Sequence, residues 1–451
     1  MATWCLLAIV VLGIGVRVRH YLAAPSFWYD EAYVLVNVFD KSYQELTGPL
    51  RCEQAAPPLF LWSLRALYTS VGGSEWAMRL PAFLASIASV LVLIPAARRI
   101  AGPTGWMWAV GFAALSQPAV FHAVCVKPYA GDLLAAAMIL AAGSYVVPAE
   151  GRSPRWSWPL VYGLAAILPW WSYPSVFALG GLSLGLLVRA VQWRSWRMAF
   201  SAGALTCVWA ASVLAVWCFV GRHQRSDYLS DYWRPFFLDT SSPLAGVAWI
   251  VQRLVKMGNY GTTGMGWPLL LLAVVGFVTL ARRAAAIAAM IAGQFVLMFG
   301  ANALHFYPLE DRLFFFALPG LWLLAATAVG DLIDRCQGRW RWAVRAVLLA
   351  LLAPGLVRYG YWTTQVPSKV EFREAFEFVR AHEQPGDRWL VSHPEVHEVY
   401  FGKPSPCPRS PEPSRIWIIA ARGSEPPNIR GHLIHETDIK TVRIWLCEPA
   451  P

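Results

Sequence analysis

Apolar runs close to 20 residues long recur along most of the chain, and that recurrence limits the fold more than any single motif. A helix rises about 1.5 Å per residue, so about 20 apolar residues cross the hydrocarbon core of a bilayer. Such runs fall near 3–20, 77–97, 104–121, 128–148, 159–172, 174–191, 198–220, 265–281, 284–303, 312–332 and 341–360, roughly eleven spans. The stretch 159–191 also reads as one long segment kinked around Pro169 and Pro174. Composition agrees: only 14% of the 451 residues are charged, where soluble domains carry about 25%. The expected fold class is an α-helical polytopic membrane protein.

The net charge of +11 is mostly arginine in short loops. No basic soluble domain accompanies it, which argues against nucleic-acid binding. With the N-terminus inside, the inside loops carry Arg98 and Arg99, Arg152 and Arg155, Arg189, Arg194 and Arg197, Arg282 and Arg283, then Arg335, Arg339, Arg341 and Arg345. That distribution follows the positive-inside rule. Arg17, Arg19 and His20 disagree, because they fall at the outer end of the first span. A cleaved signal peptide ending near Leu22-Ala23-Ala24 is the alternative for 1–24, although no basic region precedes its apolar run.

Three segments face outside: 21–76, 221–264 and 361–451. The domain reading is a transmembrane module over 1–360 and an extracytoplasmic α/β domain over 361–451. Within the tail, Lys369–His382 has helical spacing, and strands are expected near 388–392, 415–420 and 441–447. The proline-rich stretch 403–414 reads as a loop. No internal repeat is evident, which weakens an inverted-repeat transporter.

Candidate chemistry collects on the outer side. Asp30 and Glu31 follow the first span and open an amphipathic stretch reaching about Leu46. Either carboxylate could take a proton from an acceptor hydroxyl, or both could simply decorate a helix N-terminus. Pro57-Pro58 begins a second surface helix running to about Ser70. Asp132 lies near the outer end of a span otherwise free of acids, where an ionisable residue needs a cavity or a partner. Lys127 either pairs with it locally or binds a phosphate. Arg312 either grips a phosphate leaving group with its guanidinium fork or snorkels to the headgroups. The charges of the second long loop, Arg222 to Lys256, read as a solvated rim with one phosphate contact at most.

No Walker loop, dinucleotide fingerprint or His-Glu-x-x-His site occurs in the sequence. His393 and His397 are spaced for a metal but read as surface histidines. No metal site and no required cofactor are expected, although a divalent ion remains compatible. Cys407 with Cys447 is one disulfide pairing and Cys52 with Cys125 a second.

Taken in order, these motifs resemble a family. Trp28-Tyr29-Asp30-Glu31-Ala32-Tyr33, Gln54-Ala55-Ala56-Pro57-Pro58-Leu59-Phe60, Ser74-Glu75-Trp76-Ala77-Met78-Arg79-Leu80-Pro81 and Val126-Lys127-Pro128-Tyr129-Ala130-Gly131-Asp132 come first. Tyr307-Pro308 with Arg312, and Glu371 with His382-Glu383-Gln384-Pro385-Gly386-Asp387, follow. Together they resemble bacterial GT-C glycosyltransferases, the group of protein O-mannosyltransferases and the lipid A aminoarabinose transferase. The resemblance implies a helical bundle with two surface helices in the first outer loop and a polyprenyl-phosphate sugar donor. It implies Asp30 as the base, with Glu31 beside it, and Asp132 as the second acid of the cavity. It gives Arg312 a donor-phosphate role, with Lys127, Gln54, Tyr129 and Tyr307 as further substrate contacts. Relatives often carry His or Glu-Lys before the double proline. Ala55 and Ala56 stand here instead, so Gln54 or Lys127 must replace that contact. The expected partners are the lipid-linked donor, a protein, glycan or lipid acceptor and the bilayer, without nucleic acid. The expected location is the bacterial inner membrane, with the active site outside.

Two other classes use the same residues. A transporter or lipid-sugar flippase would employ the cavity carboxylates as ion sites, and it predicts paired Gly/Pro-broken spans. A non-catalytic assembly protein would tolerate the loss of both Asp30 and Asp132.

Overall fold

The computed structural model describes residues 2–147, 153–239, 241–336, 338–365, 370–402, 415–423 and 431–449. Helix α1 (Ala2–Leu22) leads to α2 (Tyr29–Asp40) and α3 (Pro58–Val71), the two helices of the first long loop. The bundle continues through α4 (Glu75–Ile100), α5 (Gly102–Ala114), α6 (Gln117–His122), α7 (Tyr129–Val146), α8 (Ser157–Trp171), α9 (Ser175–Gln192) and α10 (Trp196–Phe219). The second long loop holds α11 (Asp227–Tyr232) and α12 (Pro243–Thr262). Then α13 (Gly266–Ala303), α14 (Leu318–Arg335) and α15 (Arg339–Thr364) complete the helical part. The tail carries α16 (Phe372–His382), β1 (Arg388–Val391), α17 (Pro394–Phe401), β2 (Ile416–Ala421), β3 (Gly431–Ile439) and β4 (Val442–Pro449).

Among the described residues six helices are long and apolar enough to cross a membrane, or seven with the bent α15. They are α4, α7, α9, α10, α13 and α14. Several of the eleven expected runs take other forms. The run 104–121 is two helices that part at Leu115–Ser116, because Pro118 has no amide hydrogen for the Ala114 carbonyl four residues back and its ring crowds that carbonyl. The runs 159–172 and 174–191 stand as expected, as the separate helices α8 and α9 on either side of Ser172–Pro174. The runs 265–281 and 284–303 likewise stand apart, as the two arms of α13 on either side of a non-helical break at Ala284 (φ −152°, ψ 62°). An unbroken helix of that length would measure about 57 Å, nearly twice a hydrocarbon core of about 30 Å. In the second long loop, the amphipathic α12 replaces the expected open rim.

Arg17, whose position contradicted the charge rule, proves to be an internal cap. It is fully buried and donates to Ser86 Oγ (2.9 Å), to the carbonyls of Gly13 and Ala114 (both 2.8 Å) and to Ala113 O (3.1 Å). It satisfies the end of α5, where the helical carbonyls lose their partners, so its charge is spent inside the bundle. At the opposite end of the helices, Arg99 donates to Ser144 O and Arg283 to Ile100 O.

Glycine permits the closest helix approach. A Cβ at Gly276 of α13 would lie 1.8 Å from the Leu324 carbonyl of α14. Small residues at such crossings let backbones touch. Gly276→Ala is expected to destabilise the bundle by about 1–3 kcal/mol through overpacking, read as earlier thermal unfolding in detergent.

Among the described residues the tail sheet has the order β1-β2-β4-β3, with β1 parallel to β2 and the other pairs antiparallel. Phe372, Phe376, Val379, Val396, Trp417, Ile419, Ile444 and Leu446 form its core, and Ala32 of α2 is buried in the same cluster. The tail is therefore docked on the first long loop. Strand β3 and helix α17 were not expected. The first is a polar edge strand with a bulge between Leu433 and His435 that breaks its alternation. The second is one short helix opened by Pro394. The loop reading at 403–414 lies outside the described residues.

Candidate active site

The first turn of α2 presents its two carboxylates in opposite senses. Glu31 closes the turn by accepting from the Trp28 amide (3.3 Å), as a capping-box glutamate does. The same carboxylate accepts from Val126 N (2.8 Å) and pairs with Arg79 Nη2 (2.7 Å). The two side chains are 1% and 3% exposed. Arg79 also donates to the carbonyls of Pro25 and Ser26. This corrects the expectation that Glu31 is a catalytic carboxylate: its oxygens are consumed in a closed pair that bolts α2 to α4.

Asp30 points the other way. Its Oδ1 lies 2.9 Å from Lys127 Nζ and its Oδ2 3.1 Å from Arg312 Nη1. Gln54 Oε1 accepts from the same Lys127 at 2.8 Å. Four candidate residues thus meet at one point, from α2, the long loop that follows it, the turn before α7 and the turn before α14. Lys127 pairs with Asp30 rather than with Asp132. Burial pulls the Lys127 ammonium below the usual lysine range, with Asp30 opposing the shift. One carboxylate between two cations leaves one positive charge in excess, an arrangement suited to an oxyanion.

Trp233 of the second long loop covers Arg312, its ring centroid 5.4 Å from the guanidinium carbon, a stacking contact of the cation–π kind. Sequence reasoning missed Trp233; an aromatic beside Arg234 was the available signal. Lys256 of α12 pairs with Glu310 (3.2 Å) and Asp311 (3.1 Å), which holds the chain segment just before Arg312. Of that loop's other charges, Arg253 stacks on Phe236 and Trp249, while Arg222, Arg225, Asp227, Asp231, Arg234 and Asp239 are exposed.

Tyr129 is close enough to Asp30, Asp132 and Arg312 to feel the charge of each. Asp132 is buried in the first turn of α7 beside Ser172, and its Oδ1 lacks a hydrogen-bond partner. Gly131 admits Trp171 there: a Cβ would meet Trp171 Nε1 at 2.5 Å. Tyr307 is committed elsewhere. Its hydroxyl donates to Leu313 O at 2.7 Å and its ring packs on Phe177 and Phe316, so it shapes the Arg312 turn and offers no hydroxyl proton to a ligand.

The alanines before the double proline are used through their backbone. Ala56 N donates to Gln224 Oε1 (3.0 Å) and Ala56 O accepts from Tyr173 (3.0 Å). His393 and His397 are not open surface residues, since each is half-buried among aromatic rings. No group of three or more potential metal ligands occurs among the described residues. Cys52 and Cys125 do not share a disulfide: Cys52 Sγ donates to Glu395 and Cys125 Sγ to Phe121 O. The pairing of Cys407 with Cys447 lies outside the described residues, because Cys407 does.

No protein-family model matches the chain, and no curated protein sequence matches it. Solved structures do. ArnT from Cupriavidus metallidurans bound to undecaprenyl phosphate superposes with a TM-score of 0.57 at 13% identity, over 97% of this chain and 97% of that one. The same protein in its apo state gives 0.55 at 13% identity and the same coverage. The oligosaccharyltransferase of Archaeoglobus fulgidus in the apo form gives 0.53 at 12% identity, over 90% of this chain and 61% of that one. A likeness of this kind, end to end and at low identity, is one of architecture: the chain has the GT-C fold.

Proposed function

We propose that the chain is an integral-membrane glycosyltransferase. It moves a sugar from a polyprenyl-phosphate donor to an acceptor hydroxyl on the outer side of the inner membrane, with inversion at the sugar carbon. The observation that carries this reading is the carboxylate of Asp30 held between Lys127 (2.9 Å) and Arg312 (3.1 Å). The fold it shares with ArnT, solved with undecaprenyl phosphate bound, and with an oligosaccharyltransferase supports the same class.

The chemistry follows from charge. A sugar phosphodiester carries one negative charge, and the departing monoester gains a second as the sugar–oxygen bond breaks. Lys127 and Arg312 are fixed where that charge develops, which is the arrangement that lowers a barrier rather than merely binding substrate. A phosphate arriving between them competes with Asp30 for both cations. Donor binding thereby frees the carboxylate to take the proton of the acceptor hydroxyl as its oxygen attacks. Asp132 is the second acid, its unpartnered oxygen available to a sugar hydroxyl. The sugar–phosphate bond supplies the activation, so this reading requires neither nucleotide nor metal. Basic residues gather at the helix ends away from Asp30, which supports an outward-facing site.

Labelled polyprenyl-phosphate sugars offered to membranes holding wild type, Arg312→Ala or Arg312→Lys test the reading. Arg312→Ala is expected to lose about 10²–10³-fold in kcat/KM. Arg312→Lys should recover part of it, because the charge returns without the fork. Transfer that ignores both substitutions, or no transfer from any donor by correctly inserted protein, overturns it.

A further inference from the structure

The tail domain reaches the first turn of α2 through one imidazole. His393, at the start of α17, stacks on Tyr29 with ring centroids 4.5 Å apart. Its Nδ1 lies 3.1 Å from the Tyr33 hydroxyl. Phe372 of α16 meets the imidazole edge-on at 6.4 Å. Tyr29 and Tyr33 are four residues apart and therefore neighbours on one helix face, and they bracket Asp30 in the chain.

The surrounding seam is built to hold this contact. Arg51 makes a two-pronged pair with Glu398, both bonds 2.7 Å. Tyr400 donates to Glu75 (2.9 Å) and accepts from Phe27 N (2.8 Å), while Arg373 pairs with Glu75 (2.9 Å). The turn that carries Asp30 is thus gripped from two sides. Arg79 holds Glu31 from the bundle, and His393 holds Tyr29 and Tyr33 from the tail.

We infer that His393 is a positioning residue for Asp30, its neutral imidazole fixing Tyr29 and Tyr33 and thereby the direction of the carboxylate between Lys127 and Arg312. The activity part of this inference rests on the transferase reading; the structural part does not. Burial pushes the Tyr33 phenol up to about 12, so it stays protonated and shares a hydrogen with Nδ1, in the direction the imidazole tautomer sets. Burial also lowers His393, with Glu395 of α17 opposing. The groups facing the imidazole are Tyr29 and Tyr33 with Asp30 behind them on α2, Glu395 on α17 and the uncharged Phe372 on α16. A protonated imidazole would be a charge held among aromatic rings, with Glu395 to offset it. The neutral form is favoured in the fold, so the contact is intact above the ordinary histidine value of about 6.5 and weakens as pH falls below it.

His393→Ala and His393→Asn, in the full chain, test the inference. An asparagine oxygen can take the place of Nδ1 as acceptor but does not titrate. His393→Ala is expected to lower kcat about 10–100-fold, since small misplacement of a reacting group costs up to about that much, with KM for the donor changed less than about threefold. His393→Asn should recover most of the turnover and lose the acid limb expected of wild type below about pH 6.5. An unchanged kcat in His393→Ala, or an unchanged acid limb in His393→Asn, overturns the inference. If wild type transfers no sugar, the transferase reading fails by itself, and a titration of ¹³C-labelled histidine decides the positioning contact. A His393 signal that titrates below about 6.5 and shifts in Tyr33→Phe supports it; one that does neither overturns it.

Discussion

Asp30→Asn is expected to remove sugar transfer almost completely, lowering turnover by about 10³–10⁴-fold, the upper range for loss of a general base. The substitution keeps the shape and leaves an oxygen for Lys127, so the site should stay assembled. What disappears is the proton acceptor. It also removes the negative charge that competes with phosphate for Lys127 and Arg312, so donor KM should hold steady or fall while kcat collapses. That split separates a base from a binding residue, whose loss raises KM instead. Steady-state transfer over a range of donor concentrations, with wild type and Asp30→Asn at equal insertion, reads both quantities. Turnover that survives would move the base to Asp132. A rise in KM with kcat intact would make Asp30 a structural counter-ion.

Which residues form this site was largely legible, and the reason is cost. Asp30, Lys127, Asp132 and Arg312 stand at the ends of apolar runs, where ionisable groups are expensive and so are visible against their surroundings. Who pairs with whom was not legible. Arg312 and Asp30 are 282 positions apart, and only the packing of α14 against the bundle joins them. The neighbours Asp30 and Glu31 looked equivalent in the chain. On a helix they point about 100° apart, one into the site and one into the bundle, and the deciding partner, Arg79, lies beyond the intervening loop. His393 failed for the opposite reason. A histidine in a polar tail carries no mark of the aromatic faces that bury it. The helical membrane class followed from run length alone, whereas the number of spans did not. The break before Pro118 depends on backbone geometry rather than on hydropathy, whereas the one at Ala284 was marked in the sequence by Arg282 and Arg283 between two apolar runs. Strand β3 escaped because an exposed edge with a bulge has little apolar alternation to read.

The buried pair of Glu31 and Arg79 should dominate stability as Asp30 dominates turnover. Arg79→Met leaves the Glu31 carboxylate with two backbone amides and no counter-charge, in a place where its side chain is 1% exposed. Removing one partner of such a pair costs about 3–5 kcal/mol. Glu31→Gln should cost less, because the amide oxygen still accepts from Val126 N and Arg79 keeps the carbonyls of Pro25 and Ser26. The double variant Glu31→Gln with Arg79→Met should be more stable than Arg79→Met alone, since no buried charge remains. It should still fall short of wild type by about 1–3 kcal/mol, the cost of leaving those two carbonyls without a donor. Thermal unfolding of the four proteins in one detergent closes the cycle. Losses that simply add would mean the two side chains do not hold α2 as a pair. Coupled losses, with transfer falling in step as the first turn of α2 loosens, would tie the direction of Asp30 to a bond that never touches substrate.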